Sequence, residues 1–163
     1  MRASRGFSLI ELLIVVAIIL TIAAIAIPSL VRSRIAANEA AAVSSIRTLT
    51  TAEHAYAQAY PELGYTCTIG SLGPPAGGGA YTSTASGVID AVLASGAKQG
   101  YRLSLSNCSA SSGTPNWNYS SGAVPLAPGS TGVRSFCSDA SGIIWYAYDG
   151  TAATCQSAGL VLR

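Results

Sequence analysis

Charge is what this 163-residue sequence has least of: Lys, Arg, Asp and Glu make up 10% of it, with one lysine, Lys98, and one histidine, His54. An average soluble domain carries roughly 25% charged residues, so much of this surface falls to Ser, Thr, Gly, Ala and Asn. A basic nucleic-acid face finds no support, since from residue 7 onward seven cationic side chains face seven carboxylates without clustering. Catalysis needs convergent titratable groups, and His54 has no Ser or Asp partner in a triad-like pattern. Asp90, Asp139 and Asp149 stand apart and read as turn or helix-start residues. They lack the dense acidic loop of a strong calcium site. No C-x-x-C pair occurs and no His accompanies a Cys, which argues against zinc. Neither enzyme chemistry, nor a cofactor, nor a metal is expected. The aromatic residues Tyr56, Tyr60, Tyr65, Tyr101, Trp117, Tyr119, Trp145, Tyr146 and Tyr148 read as core and strand positions.

Four cysteines are present: Cys67, Cys108, Cys137 and Cys155. An even number in a Gly/Ser/Thr-rich region fits disulfides and an oxidising compartment, which places the chain beyond about residue 60 outside the cytoplasm. Three pairings are formally open. Cys67 with Cys108 and Cys137 with Cys155 is favoured, because each pair closes a local loop.

From Phe7 to Ile27 the chain reads FSLIELLIVVAIILTIAAIAI, with Glu11 as its one charge. As a helix it is about 31 Å long, enough to cross a bilayer core. A cleaved secretory signal is one reading, with Arg2 and Arg5 ahead and Ala24-Ile25-Ala26 as an A-x-A-like site. Against it, a carboxylate within the run costs roughly 2.5 to 3.5 kcal/mol on insertion scales. The helical pattern also continues past Pro28 to Tyr60. A permanent membrane anchor is a second reading. Arg2 and Arg5 are balanced by Arg32 and Arg34, so charge bias does not orient the segment. The cysteines do: the N-terminus is expected in the cytoplasm and the cysteine-bearing part outside.

The residues Gly6-Phe7-Ser8-Leu9-Ile10-Glu11, after a short basic leader and before an apolar run and Pro28, resemble the signal of type IV prepilins and pseudopilins. The close resemblance covers about residues 1 to 45. It implies a membrane peptidase that cuts after Gly6 and methylates the new N-terminus on Phe7, and an assembly role for Glu11. Gly6, lacking a side chain, suits a scissile position entered in extended form. Cleavage creates an amine on Phe7 beside the apolar phase, and Glu11, of the same or a neighbouring chain, can offset its charge and set axial register. Pro28 lacks an N–H, so a kink or loosening is expected there. Leu20 stands where the family commonly has Gly. The implied product is a helical homopolymer, with the chain as a major pilin of a bacterial surface filament for adhesion, twitching or DNA uptake; a type II secretion pseudopilin is the alternative. An anchored binding or catalytic domain is the reading from another class. Implied partners are the prepilin peptidase/methyltransferase, an inner-membrane assembly platform with its ATPases, and minor pilins. The subunit would wait in the inner membrane, then join an extracellular filament; whether that filament binds DNA or a surface is not set by these residues.

After Pro28, Val31, Ile35, Ala42, Ile46, Leu49, Tyr56 and Tyr60 recur with the polar Arg32, Arg34, Glu39 and Glu53 among them, as on an amphipathic helix, which Pro61 ends. One helix from Phe7 to Tyr60 would be about 80 Å long, so its first half must project from a head of this size. Residues 61–99 read as a turn-rich surface connection with one short helix over Gly87 to Ser95. Strands are expected at Gly100 to Ser106, Trp117 to Val124, Val133 to Ser138 and Gly142 to Tyr148, with turns at 138–142 and at Asp149-Gly150. The expected fold is α+β: a leader (1–6), an apolar helix half (7–28), an amphipathic half (29–60), the connection (61–99), and an antiparallel sheet of about four strands with a disulfide-bounded C-terminal region (100–163).

Overall fold

A computed structural model describes residues 7–108, 114–148, 151, 155, 157 and 159–162. Gly6 and the Asp149-Gly150 turn lie outside the described residues. The chain divides into two units, Met1–Arg34 and Ile35–Arg163. Helix α1, Leu9–Ala59, contributes residues to both.

Within the first unit α1 continues through Pro28. The proline ring has no N–H to offer the carbonyl of Ala24. Thr21 Oγ1 and Ser33 Oγ donate to the carbonyls of Ala17 (2.8 Å) and Ser29 (3.0 Å), so these hydroxyls are satisfied within the helix.

In the second unit α1 buries Glu39, Ala42, Ser45, Ile46, Leu49, Ala52, Glu53, Tyr56 and Ala57, steps of three and four that define one face. That face packs on Tyr101, Leu103, Ala123, Phe136 and Ile144 of the sheet, with Leu72 and Leu93 closing the core. The helix ends where Pro61 follows Tyr60. The N–H groups of Leu63 and Gly64 then turn back to the Tyr60 carbonyl at 3.0 and 3.1 Å. Gly64 has φ +72, and a Cβ there would sit 2.1 Å from the Asn116 carbonyl oxygen, so the turn requires glycine.

The sheet is a six-stranded antiparallel meander in the order β1 (Ala97–Lys98), β2 (Tyr101–Ser106), β3 (Ser120–Pro125), β4 (Ser135–Asp139), β5 (Ile144–Ala147) and β6 (Leu160–Val161). The α+β class and its four main strands match the sequence reading, and β1 and β6 are additional. Each has two residues, too few to display alternation. In β2, Tyr101 and Leu103 face inward while Arg102 and Ser104 face out. Strand β4 begins two residues later than expected, because the N–H groups of Val133 and Arg134 go to Glu39 instead of a neighbouring strand. Strand β3 begins at Ser120 rather than Trp117. Asn116 to Asn118 is instead held in a turn, with the Asn118 N–H 3.3 Å from Asn116 Oδ1.

The stretch expected as a surface connection also supplies core. Helix α2 (Ile69–Leu72), a 3₁₀ turn (Ala76–Gly78) and helix α3 (Ala91–Ala94) lie within it, and Ile69, Leu72, Ile89 and Leu93 are buried. Asp90 caps α3, its Oδ1 accepting from the Leu93 N–H at 2.8 Å. Disulfides join Cys67 to Cys108 and Cys137 to Cys155, with Cα separations of 5.9 and 6.0 Å.

Candidate functional site: the N-terminal segment and the charged residues of the head

Ser8 precedes the first helical residue and Glu11 is the third, the spacing of a capping box. One arm of that box is formed: the Ser8 N–H donates to Glu11 Oε2 at 3.1 Å. A helix N-terminus exposes orphan N–H groups and a partial positive charge, and a carboxylate in the first turn answers both. Glu11, the single charge between Phe7 and Val31, therefore already serves the helix start.

Beyond Glu11 the segment is apolar on every side. Phe7, Leu9 and Ile25 are each at least 75% exposed, and no side chain from Leu9 to Ile22 is buried. Eighteen consecutive residues of this strongly apolar run are all unburied. At roughly 25 cal/mol per Å², leaving such a surface in water is strongly unfavourable. A single helix that is apolar all round needs hydrocarbon or other helices about it. By length and composition it is long enough to cross a membrane.

The head concentrates its buried charge on α1. Glu39 Oε2 receives Arg134 Nε at 2.8 Å and Nη2 at 2.6 Å, and Oε1 receives the Val133 and Arg134 N–H groups at 3.0 and 3.1 Å. Burial alone would raise this carboxyl; the Val133 and Arg134 hydrogen bonds and the guanidinium charge outweigh it and hold the group below the ordinary range. Arg134 also lies over the Phe136 and Tyr146 rings, at 5.4 and 5.3 Å from their centroids.

Glu53 is fully buried. Its Oε2 accepts from the Thr66 N–H at 2.9 Å, and its Oε1 has no hydrogen-bond partner. Burial pushes this carboxyl up to about 7, against the smaller opposing effect of Thr66. Sequence reading placed Glu39 and Glu53 among the polar residues of the helix. Glu39 stands 3, 7 and 10 positions before Ala42, Ile46 and Leu49, and Glu53 stands 11, 7 and 4 positions after them. Both sets of steps fall on the apolar stripe, which is the signal that could have found them.

The other titratable residues do not converge. His54 is exposed and its Nδ1 lies 3.2 Å from the Tyr65 hydroxyl. Asp139 Oδ1 accepts from the Ser141 N–H at 2.8 Å, as an Asx turn requires. Among the described residues no group of three His, Cys, Asp or Glu could hold a metal. Trp117 and Tyr148, expected as buried strand residues, are 57% and 65% exposed.

Residues 1–27 match the prokaryotic N-terminal methylation motif, which is the prepilin signal of type IV pilins. No curated protein and no solved structure matches the chain. The chain thus carries a precursor signal of the pilin and pseudopilin type, ahead of an apolar helix and a disulfide-bonded antiparallel sheet.

Proposed function

We propose that this chain is a major pilin precursor: cut between Gly6 and Phe7, methylated on Phe7, and polymerised through its N-terminal helix into a type IV pilus. The observation that carries the reading is a methylation motif followed by a helix apolar on every side. Such a helix cannot persist in water. A bilayer before assembly and copies of itself afterwards both satisfy it. In this reading residues 1–6 are the leader, 7–28 the membrane and filament-core half, 29–60 the amphipathic half, 61–99 the connection, and 100–163 the sheet with its C-terminal region.

The N-terminus faces the cytoplasm, where a prepilin peptidase acts, and the disulfides form on the far side. Glu11 of an incoming subunit meets the new Phe7 amine of the subunit before it, which neutralises two charges in an apolar setting and fixes register. Inner-membrane assembly proteins, ATPases and minor pilins supply the work and the initiation. The low charge and two disulfides favour a filament exposed outside the cell over the periplasmic pseudopilus of type II secretion.

Intact mass and N-terminal sequencing of the protein from sheared surface filaments, and separately from membranes, test this. The expected species starts at Phe7, is heavier by one methyl group, lacks four hydrogens and is abundant in the sheared fraction. Recovery of that species only from the cell envelope would select the pseudopilus. A start at Ile27, or an uncut chain, would overturn the reading.

A further inference from the structure

Four side chains of the head gather at its surface. Tyr65 is the hub: its ring meets His54 at 5.6 Å, Trp117 at 6.2 Å and Tyr119 at 4.9 Å, each edge to face. Tyr119 is buried and anchors the group, Tyr65 is half-buried, and His54, Trp117 and Asn118 are exposed. An exposed indole beside an ordered tyrosine leaves apolar area in water, which a folded head would ordinarily hide.

The backbone beneath is rigidly fastened. Tyr65 N–H donates to the Asn116 carbonyl at 2.7 Å, and Asn116 N–H to that of Leu63 at 2.8 Å. Buried Asn116 returns a bond through Nδ2 to the Tyr65 carbonyl at 3.1 Å. Two residues beyond Tyr65, Cys67 is held to Cys108. A platform ordered beforehand loses little entropy on binding.

Charge selects the occupant. Residues 60–73 and 114–122 contain no Lys or Arg, and Glu62 is their one charged residue. Single-stranded nucleic acid also stacks on aromatic rings, but it requires a cationic track for its phosphates. A cationic ligand would seek a carboxylate beside the ring faces. Glu53 is buried with one oxygen held by Thr66, Asp139 accepts from the Ser141 N–H, and among the described residues no ion pair or side-chain hydrogen bond holds Glu62 against the rings. A neutral ligand that presents weakly polarised C–H groups to a π face and hydroxyls to an amide fits both halves of the surface. We infer that Trp117 and Tyr65, with Asn118 and His54 at the rim, form a platform for an uncharged glycan. Trp117 stacks on the C–H face of a sugar ring, while Asn118 and the His54 imidazole exchange hydrogen bonds with its hydroxyls.

The test uses the full chain in a zwitterionic detergent without a sugar headgroup, and short neutral oligosaccharides of glucose and of N-acetylglucosamine as probes. Saturation-transfer NMR titrations are expected to show saturable binding. Trp117→Ala should weaken it about tenfold or more, in line with the loss of one stacked ring, and Asn118→Ala severalfold. Tyr148→Ala, which removes an equally exposed ring elsewhere, should leave it unchanged, and oligothymidylate should not compete. Because Trp117 and Asn118 are exposed, both variants should melt like the parent, which separates lost binding from lost fold. Absence of saturable binding to either sugar, equal binding by Trp117→Ala, or displacement by oligothymidylate would overturn the inference.

Discussion

Glu39 and Arg134, 95 residues apart, close on one another so that a single carboxylate takes two guanidinium N–H groups on one oxygen and two backbone N–H groups on the other. The pair joins α1 to the start of β4, and it fixes where that strand begins. The Glu39 side chain is 8% exposed and that of Arg134 32%, so the arginine can regain water if its partner is lost while the backbone donors cannot. Glu39→Ala should therefore destabilise the head by about 2 to 4 kcal/mol. Glu39→Gln, which keeps an acceptor for the backbone donors, should cost about half as much. Denaturant unfolding of the two variants checks the order.

The same pair has a sign in pH. The folded-state value of Glu39 is depressed below the ordinary 4.5, so its contribution is fully present above that pH and is lost as pH falls through the folded value. Glu53 has the opposite sign. Its folded value is raised from 4.5 to about 7, so the folded state holds a proton that the unfolded chain releases. Stability from this group is greatest below 4.5 and declines as pH rises toward 7, by about 3 kcal/mol over the window. Glu53→Gln keeps an acceptor for Thr66 and cannot titrate. Between pH 4.5 and 7.5 the parent should lose stability on melting curves and Glu53→Gln should hold it, becoming the more stable of the two at the upper end. Parallel curves for both proteins would show that Glu53 is not protonated in the fold.

The two disulfides differ in access. Cys67 is exposed and Cys108 half-buried, whereas Cys137 and Cys155 are 1% and 0% exposed. Mild reduction followed by maleimide trapping should label Cys67 and Cys108 first, and peptide mass spectrometry reads the order. In the chain-entropy picture, loops of 41 and 18 residues contribute about 4 and about 3 kcal/mol. Replacing either pair with serine should therefore lower the unfolding midpoint, and replacing the buried pair should also disturb the packing between β4 and the C-terminal region.

What could be read ahead of the structure was what neighbours in sequence decide. The apolar run and Pro61 locate α1, alternation locates β2, and Asp90 announces α3. What could not be read depends on distant partners. Strand β4 starts late because Glu39 removes two of its N–H groups from across the chain. Strands β1 and β6 exist only because β2 and β5 offer them an edge, and two residues carry no period of their own. Trp117 looks like a strand residue until Asn116 is seen to hold its segment in a turn. Glu39 and Glu53 are the instructive pair: both lie on the buried stripe of α1, and carboxylates on an apolar stripe need partners. The sequence marks that need without naming Arg134 or Thr66.

Glu11 has two tasks in the proposed function, and substitution separates them. In the single chain its Oε2 accepts the Ser8 N–H at 3.1 Å, a cap whose loss costs about 0.5 to 2 kcal/mol at a helix end. That is small against the burial of a helix apolar along some twenty residues, so Glu11→Ala should still be membrane-held and still be cut after Gly6. Glu11→Gln keeps the capping acceptor but lacks the charge that would answer a Phe7 amine. If the charge sets register between subunits, both variants should be processed to a Phe7 start while neither yields filaments in the sheared fraction. Filaments from Glu11→Gln at parental abundance would mean that the cap is what assembly requires. Filaments from Glu11→Ala would remove Glu11 from assembly altogether and leave apolar packing to set the register alone.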